Sequence, residues 1–205
     1  MIKEDVVKYL KNKYHPKAII IYGSYVDGSF DESSDIDVIV IADGVKGYDS
    51  ELIEGIILDA WIYPTSYFEN DYILDHNLQK VYDGDIVFDE NGIAKELKTR
   101  AIDYINNLVS KTLEEIKQEL LWCEKFLHRA ERGDGDGYYR WHRLLVDSIK
   151  IYCDIKKMYY YGPKKVLLYM KNNDPEGFLL YNKALKELNI TYLKEWIEYL
   201  KKISN

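Results

Sequence analysis

Asp35-Ile36-Asp37 opens an apolar run, Ile36 to Ala42, and ten residues separate Asp35 from Ser24 at the end of an earlier run, Ala18 to Tyr22. Side chains alternate faces along a strand, so Asp35 and Asp37 point to the same side about two residue rises apart. Two carboxylates so placed repel each other unless a cation lies between them. Hard oxygen donors of this kind select Mg²⁺, which keeps waters and recruits substrate phosphates as further ligands. Gly23-Ser24, at a strand-to-helix turn, offers backbone N–H groups and a hydroxyl where a helix start favours anions. Asp59 interrupts another apolar run, Leu52 to Tyr63, where an unpaired charge is costly. Facing the same metals would explain it. Three acids around two Mg²⁺ ions form a polyphosphate site, one metal activating an attacking oxygen and the other holding a triphosphate and its pyrophosphate. Turn capping at Ser33-Ser34-Asp35, a tight turn at Gly23-Ser24 and a water-facing Asp59 are the plain alternatives. Each accounts for one feature, and none for all three.

Positioning these groups requires strands that end or begin beside them. Four β-branched runs read as strands: Ala18–Tyr22, Ile36–Ala42, Leu52–Tyr63 (broken at Gly55) and Asp85–Phe88. Gly, Asp and Ser turn residues bound them. A first helix carries Ile2, Val6, Val7 and Leu10 on one face, and a second is expected over about Gly92 to Leu108. Runs apolar on both faces, separated by helices, imply a central sheet covered by helices.

Beyond Ser110 the strand signal stops. A helix is expected from an N-cap at Ser110 to Arg132, and a second from about Tyr138 to Tyr160 after the Gly133-Asp134-Gly135-Asp136-Gly137 break. Shorter helices follow over 164–171, 175–188 (capped by Asp174, with Pro175 in the first turn) and 191–203 (capped by Thr191). The expected organisation is an α/β domain over 1–110 and a helical bundle over 111–205. Charge divides at the same place. Residues 1–110 hold 10 Lys/Arg against 21 Asp/Glu, a net of −11, whereas 111–205 hold 18 against 14, a net of +4.

The chain as a whole, 205 residues with net charge −7, has no basic tract, which argues against nucleic acid as a partner. Hydrophobic residues make up 47% of it, enough for a packed core. Cys123 and Cys153 are too few for a disulfide framework or a zinc site, and fit a reducing cytoplasm. The start of the chain lacks the apolar core of a signal peptide, and no apolar run is long enough to span a bilayer. A cytoplasmic protein with no membrane partner is expected.

Gly23-Ser24, ten residues, Asp35-x-Asp37 and an Asp inside a later strand, Asp59, together resemble the signature of the DNA polymerase β-like nucleotidyltransferase superfamily. An α/β half followed by helices looks like its small-molecule branch, which includes kanamycin and other aminoglycoside nucleotidyltransferases. The stretch 83–101 (DGDIVFDENGIAKELKTRA) is similar to the strand and helix that follow the catalytic strands there. The resemblance implies an α/β nucleotidyltransferase domain with a mixed central sheet, followed by an all-α bundle. It implies Asp35 and Asp37 as metal ligands, Asp59 as ligand, general base or both, and Gly23 and Ser24 as nucleotide-binding residues. Many members carry an Arg two or three residues after the Ser, and this chain has Tyr25-Val26-Asp27 instead.

The expected activity is Mg²⁺-dependent transfer of a nucleoside monophosphate, AMP from ATP before other NTPs, to a hydroxyl of a small molecule with release of pyrophosphate. The acidic half would attract a polycation, and an aminoglycoside-like antibiotic is one such acceptor. Protein adenylylation and non-catalytic nucleotide binding are the rival readings. In the helical half Glu131, Asp134, Asp136 and Asp147 are acceptor-side candidates, and Lys150, Lys164 and Lys165 phosphate-side ones. A solvated helix face accounts for each more simply. Tyr138–Arg143 mixes rings with cations, but its helical spacing reads first as core.

Overall fold

Strand β1 (Ala18–Tyr22) is buried at all five positions, as a strand must be when helices cover both faces of its sheet. The structure, a computed structural model, describes residues 2–69 and 80–204. Contacts divide the chain into two compact units, Met1–Leu108 and Val109–Asn205.

In the first unit β1 is joined by β2 (Ile36–Ile41), β3 (Gly47–Asp49), β4 (Leu52–Ile53), β5 (Ile56–Tyr63) and β6 (Asp85–Asp89). The order is β3-β5-β2-β1-β6, with β4 paired to β5 outside that path. The β2–β5 pair is parallel, while β1 pairs antiparallel with both β2 and β6. This is the mixed sheet expected of an α/β nucleotidyltransferase domain. Alternation sorts its side chains into two cores. Ile19, Ile21, Val38 and Val40 pack with Val6 and Leu10 of helix α1 (Ile2–Tyr14). Ile20, Tyr22, Ile39 and Tyr63 pack with Ala94, Leu97 and Ala101 of helix α3 (Ile93–Asn106). Strand β3 was not expected. Its sequence, Gly47-Tyr48-Asp49, has no β-branched residue, and two of its three positions are exposed at the sheet's edge.

The second unit is helical: α4 (Leu113–Ala130), α5 (Gly135–Ile155), α6 (Pro163–Asn173), α7 (Pro175–Lys186) and α8 (Ile190–Ser204). Thr112, not Ser110, caps α4, because only Thr112 has a Glu three residues on to close a capping box. Asp134 caps α5 by accepting from the Gly137 amide at 2.8 Å, so this helix begins inside the glycine-rich break. Asn189, not Thr191, reaches back over the start of α8, accepting from the Thr191 amide at 3.0 Å. Trp196 sits at the centre of this core and donates to Ser148 Oγ at 2.9 Å. Burial pushes the thiols of Cys123 and Cys153 up to about 12, so both are inert packing groups. Among the described residues no helix is long and apolar enough to cross a membrane.

Candidate active site

The parallel register of β2 and β5 sets Asp37 directly beside Asp59, and the antiparallel register of β1 and β2 sets Tyr22 beside Asp37. Alternation puts all three on the sheet face that α3 covers, near the end of β1 and the start of β2. Asp35 precedes the first residue of β2 and is exposed, whereas Asp37 and Asp59 are half-buried. Two of the three carboxylates are thus half-buried and one exposed, and the charge of Asp35 acts on both of the others. Among the described residues, no three Asp, Glu, His or Cys side chains are gathered tightly enough to hold a metal ion as they stand.

Gly23 shapes the floor. Its φ of +73° suits glycine, and a Cβ there would lie 2.2 Å from Asp37 Oδ2. The Asp37 carboxylate therefore rests against a bare Cα, which answers the question why Gly precedes Ser24. Ser24 starts helix α2 (Ser24–Asp27), a single turn closed by Gly28 in the left-handed region. So short a helix adds little macrodipole to the turn. What remains for a phosphate is local N–H groups and the Ser24 hydroxyl.

Burial, then repulsion from Asp35 and Asp59, raises the Asp37 carboxyl to about 6, although Lys80 and a hydrogen bond from Tyr22 oppose the shift. Asp59 is raised by burial first and by Asp35 second, against Lys80 and hydrogen bonds from Tyr48 and Trp61. Asp59 Oδ1 is buried with no hydrogen-bond partner. Burial and the charges of Asp37 and Asp59 also raise Tyr22, so its hydroxyl stays protonated and remains a donor. An orphaned carboxylate oxygen among acids that repel one another is the electrostatic condition under which a divalent cation binds favourably. Hard oxygens from Asp35, Asp37 and Asp59 fit Mg²⁺ by donor type.

Sequence reasoning missed Lys80. Its ammonium lies 5.6 Å from the Tyr22 ring centroid and 5.4 Å from that of Trp61, opposing the charges of Asp37 and Asp59. No local pattern marks it, since only the sheet register brings Tyr22 and Trp61 together beside it.

Apart from Lys164, the acids and bases singled out in the helical unit make their contacts within that unit. Glu131 pairs with Lys194, and with His128 at 3.1 Å. Asp134 caps α5 and meets Arg132, while Asp136 pairs with Arg132 and Arg140. Asp147 pairs with Arg143, and with Lys150 it lines a cavity of about 600 Å³. Lys150 and Lys165 lie over the rings of Tyr160 and Tyr161, and Lys164 is exposed. Trp141 is core, as helical spacing implied, whereas Tyr138 and Tyr139 are exposed.

Among solved structures the chain is similar to a nucleotidyltransferase-like protein from Exiguobacterium sibiricum 255-15, at 16% identity over 98% of this chain and 72% of that one. The TM-score, 0.44, is too low for that likeness to bear on the site. No curated protein matches. Residues 4–63 match the family model described as Polymerase beta, Nucleotidyltransferase, a span that runs from α1 through β5 and holds Gly23, Ser24, Asp35, Asp37 and Asp59.

Proposed function

We propose that the protein is a Mg²⁺-dependent nucleotidyltransferase that moves a nucleoside monophosphate, AMP from ATP first among candidates, onto a hydroxyl of a small molecule. The observation that carries this reading is the in-register Asp37–Asp59 pair, with a buried, unpartnered oxygen on Asp59. The nucleotidyltransferase match over residues 4–63 supports the activity class.

Asp35, Asp37 and Asp59 would hold two Mg²⁺ ions, whose charge would offset that developing on the phosphates. Gly23 and Ser24 would receive the triphosphate through N–H groups and the hydroxyl, and Lys80 would add a cation on the same side. Asp59, whose carboxyl is raised by burial and repulsion, would take the acceptor's proton. The acceptor oxygen bonds to the α-phosphorus, the bond from that phosphorus to the bridging oxygen breaks, and pyrophosphate leaves with the electron pair. The hydroxyl proton goes to Asp59.

Purified protein with Mg²⁺ and ATP, screened for pyrophosphate against aminoglycosides, lincosamides and other hydroxylated compounds, tests this. At least one acceptor should gain a phosphoester-linked AMP of matching mass. ATP binding without pyrophosphate from any acceptor would leave nucleotide binding alone as the function.

A further inference from the structure

A cavity of about 480 Å³ opens beside the acids, lined among others by Tyr25, Phe30, Glu32, Asp35, Ile56 and Ile57. Two built walls face it. The Tyr25 and Phe30 rings stack at 4.7 Å with 11° between planes, yet Phe30 keeps 53% of its surface exposed. The loop that carries Phe30 is pinned on both sides. Asp27 accepts from the Ser29 amide at 3.0 Å, and Asp31 from the Ser33 amide at 2.9 Å. Opposite, Glu54 and Gly55 both have positive φ, the two-residue turn that suits a twisted hairpin, and it presents Ile56 and Ile57 at the start of β5. Ile57 is 55% exposed. Single exposed apolar residues need no explanation, but a held ring pair facing an exposed aliphatic wall across a cavity does.

The cavity meets the site at Asp35, which lines it. Ile57 lies two residues before Asp59 and Asp35 two before Asp37, so each is one pleat step along the same face from an inner acid. Its charge is one-sided: the lining includes the carboxylates of Glu32 and Asp35, and among the described residues that line it none is Lys or Arg. A triphosphate is repelled there, and belongs on the Lys80 side of Asp37. An organic cation is attracted, and a flat or apolar body can lie against Phe30 and Ile57.

We infer that this cavity is the acceptor subsite, and that the acceptor is a small hydroxyl-bearing organic cation with a ring-bearing, apolar body. The inference rests on the nucleotidyltransferase reading for the word acceptor, and on the cavity alone for the ligand's chemistry. The ring pair and the aliphatic wall would seat the body, Asp31 and Glu32, which are not assigned to metal, would hold the charge, and the hydroxyl would point toward Asp59. A sugar-like polycation with no apolar face would leave Phe30 and Ile57 unused.

The test uses N-methylquinolinium, a flat monocation, titrated calorimetrically against the full chain, with neutral quinoline for comparison and a non-transferable ATP analogue with Mg²⁺ titrated separately. Wild type should prefer the quinolinium. Phe30→Ala should bind it about tenfold more weakly, the size of one lost ring–cation contact, and Glu32→Gln about threefold more weakly. Phe30→Trp should keep the affinity, and the ATP analogue should bind Phe30→Ala as it binds wild type. Unchanged quinolinium affinity in Phe30→Ala would overturn the inference. So would a loss confined to the ATP analogue, which would make the ring pair a platform for the nucleobase. Wild type that binds the quinolinium through Phe30 but no ATP analogue would support the cation pocket and overturn the enzyme reading.

Discussion

Asp37 shows how a single side chain can be costly to the fold and useful to the site. Its carboxyl is raised to about 6, by burial and then by the charges of Asp35 and Asp59. A raised folded-state value means that the stability from this group is complete below the unfolded carboxylate value near ~4 and is lost as pH rises through about 6. In the metal-free protein, with chelator present, Asp37→Asn should therefore be more stable than wild type at pH 7.5. The gain should be about 1 kcal/mol, discounted for the solvent that reaches this half-buried group, and should vanish by pH 4. The same variant should lose pyrophosphate release by about a hundredfold or more, because the lost charge is one of those proposed to hold Mg²⁺ against the reacting phosphate. Thermal unfolding across pH, paired with turnover, checks both halves. A variant that kept wild-type turnover would remove Asp37 from the machinery.

At the scale of elements, Asp174 joins three helices of the second unit. It caps α7 through the Gly177 amide at 3.0 Å, and accepts from Tyr152 of α5 at 2.8 Å and from Tyr199 of α8 at 2.5 Å. Burial alone would raise its carboxyl, but these hydrogen bonds and nearby Lys156 outweigh burial and hold it below the usual range. Asp174→Ala would leave two hydroxyls and an amide without their acceptor, at a cost of about 2–4 kcal/mol. A depressed carboxyl stabilises above its unfolded value and ceases to do so as pH falls through its folded one. Urea denaturation should thus show a large wild-type-to-variant gap at pH 7 that narrows as pH falls below the unfolded carboxylate value of ~4. A gap that stayed constant with pH would mean packing, not charge, sets the effect.

The cap at Asp174 was legible in sequence because Pro175 follows it, and the central strands were legible because β1 and β2 are apolar on both faces. The polar edge strand β3 was not, nor were the starts of α4 and α8, where the capping side chain had to be chosen among neighbours of similar chemistry. The candidate site divides in the same way. Gly23, Ser24, Asp35, Asp37 and Asp59 are spaced along adjacent segments, and pleat alternation predicts which faces they share. Lys80, Tyr22 and the Tyr25–Phe30 wall depend on strand register and loop turns, which a linear pattern does not encode.

Over the whole molecule charge is unevenly shared, net −11 over residues 1–110 against +4 over 111–205. The acids of the candidate site and the carboxylates of the adjacent cavity lie in the negative part. Its field raises the local concentration of cations and lowers that of anions, so it would speed the arrival of a cationic acceptor and slow that of a free nucleotide. Mg²⁺ carried with the nucleotide would reduce the second effect, leaving the acceptor as the sensitive partner. Raising ionic strength from about 0.01 M to about 0.15 M shortens the screening length from ~30 Å to ~8 Å. With Mg²⁺ and ATP saturating, KM for a cationic acceptor should rise about three- to tenfold over that range, while kcat stays level. A neutral acceptor of the same shape should show little change in KM, since no long-range attraction is lost. Equal salt sensitivity for both would locate the effect in the nucleotide or the metal, and would separate the charge asymmetry of the chain from its choice of acceptor.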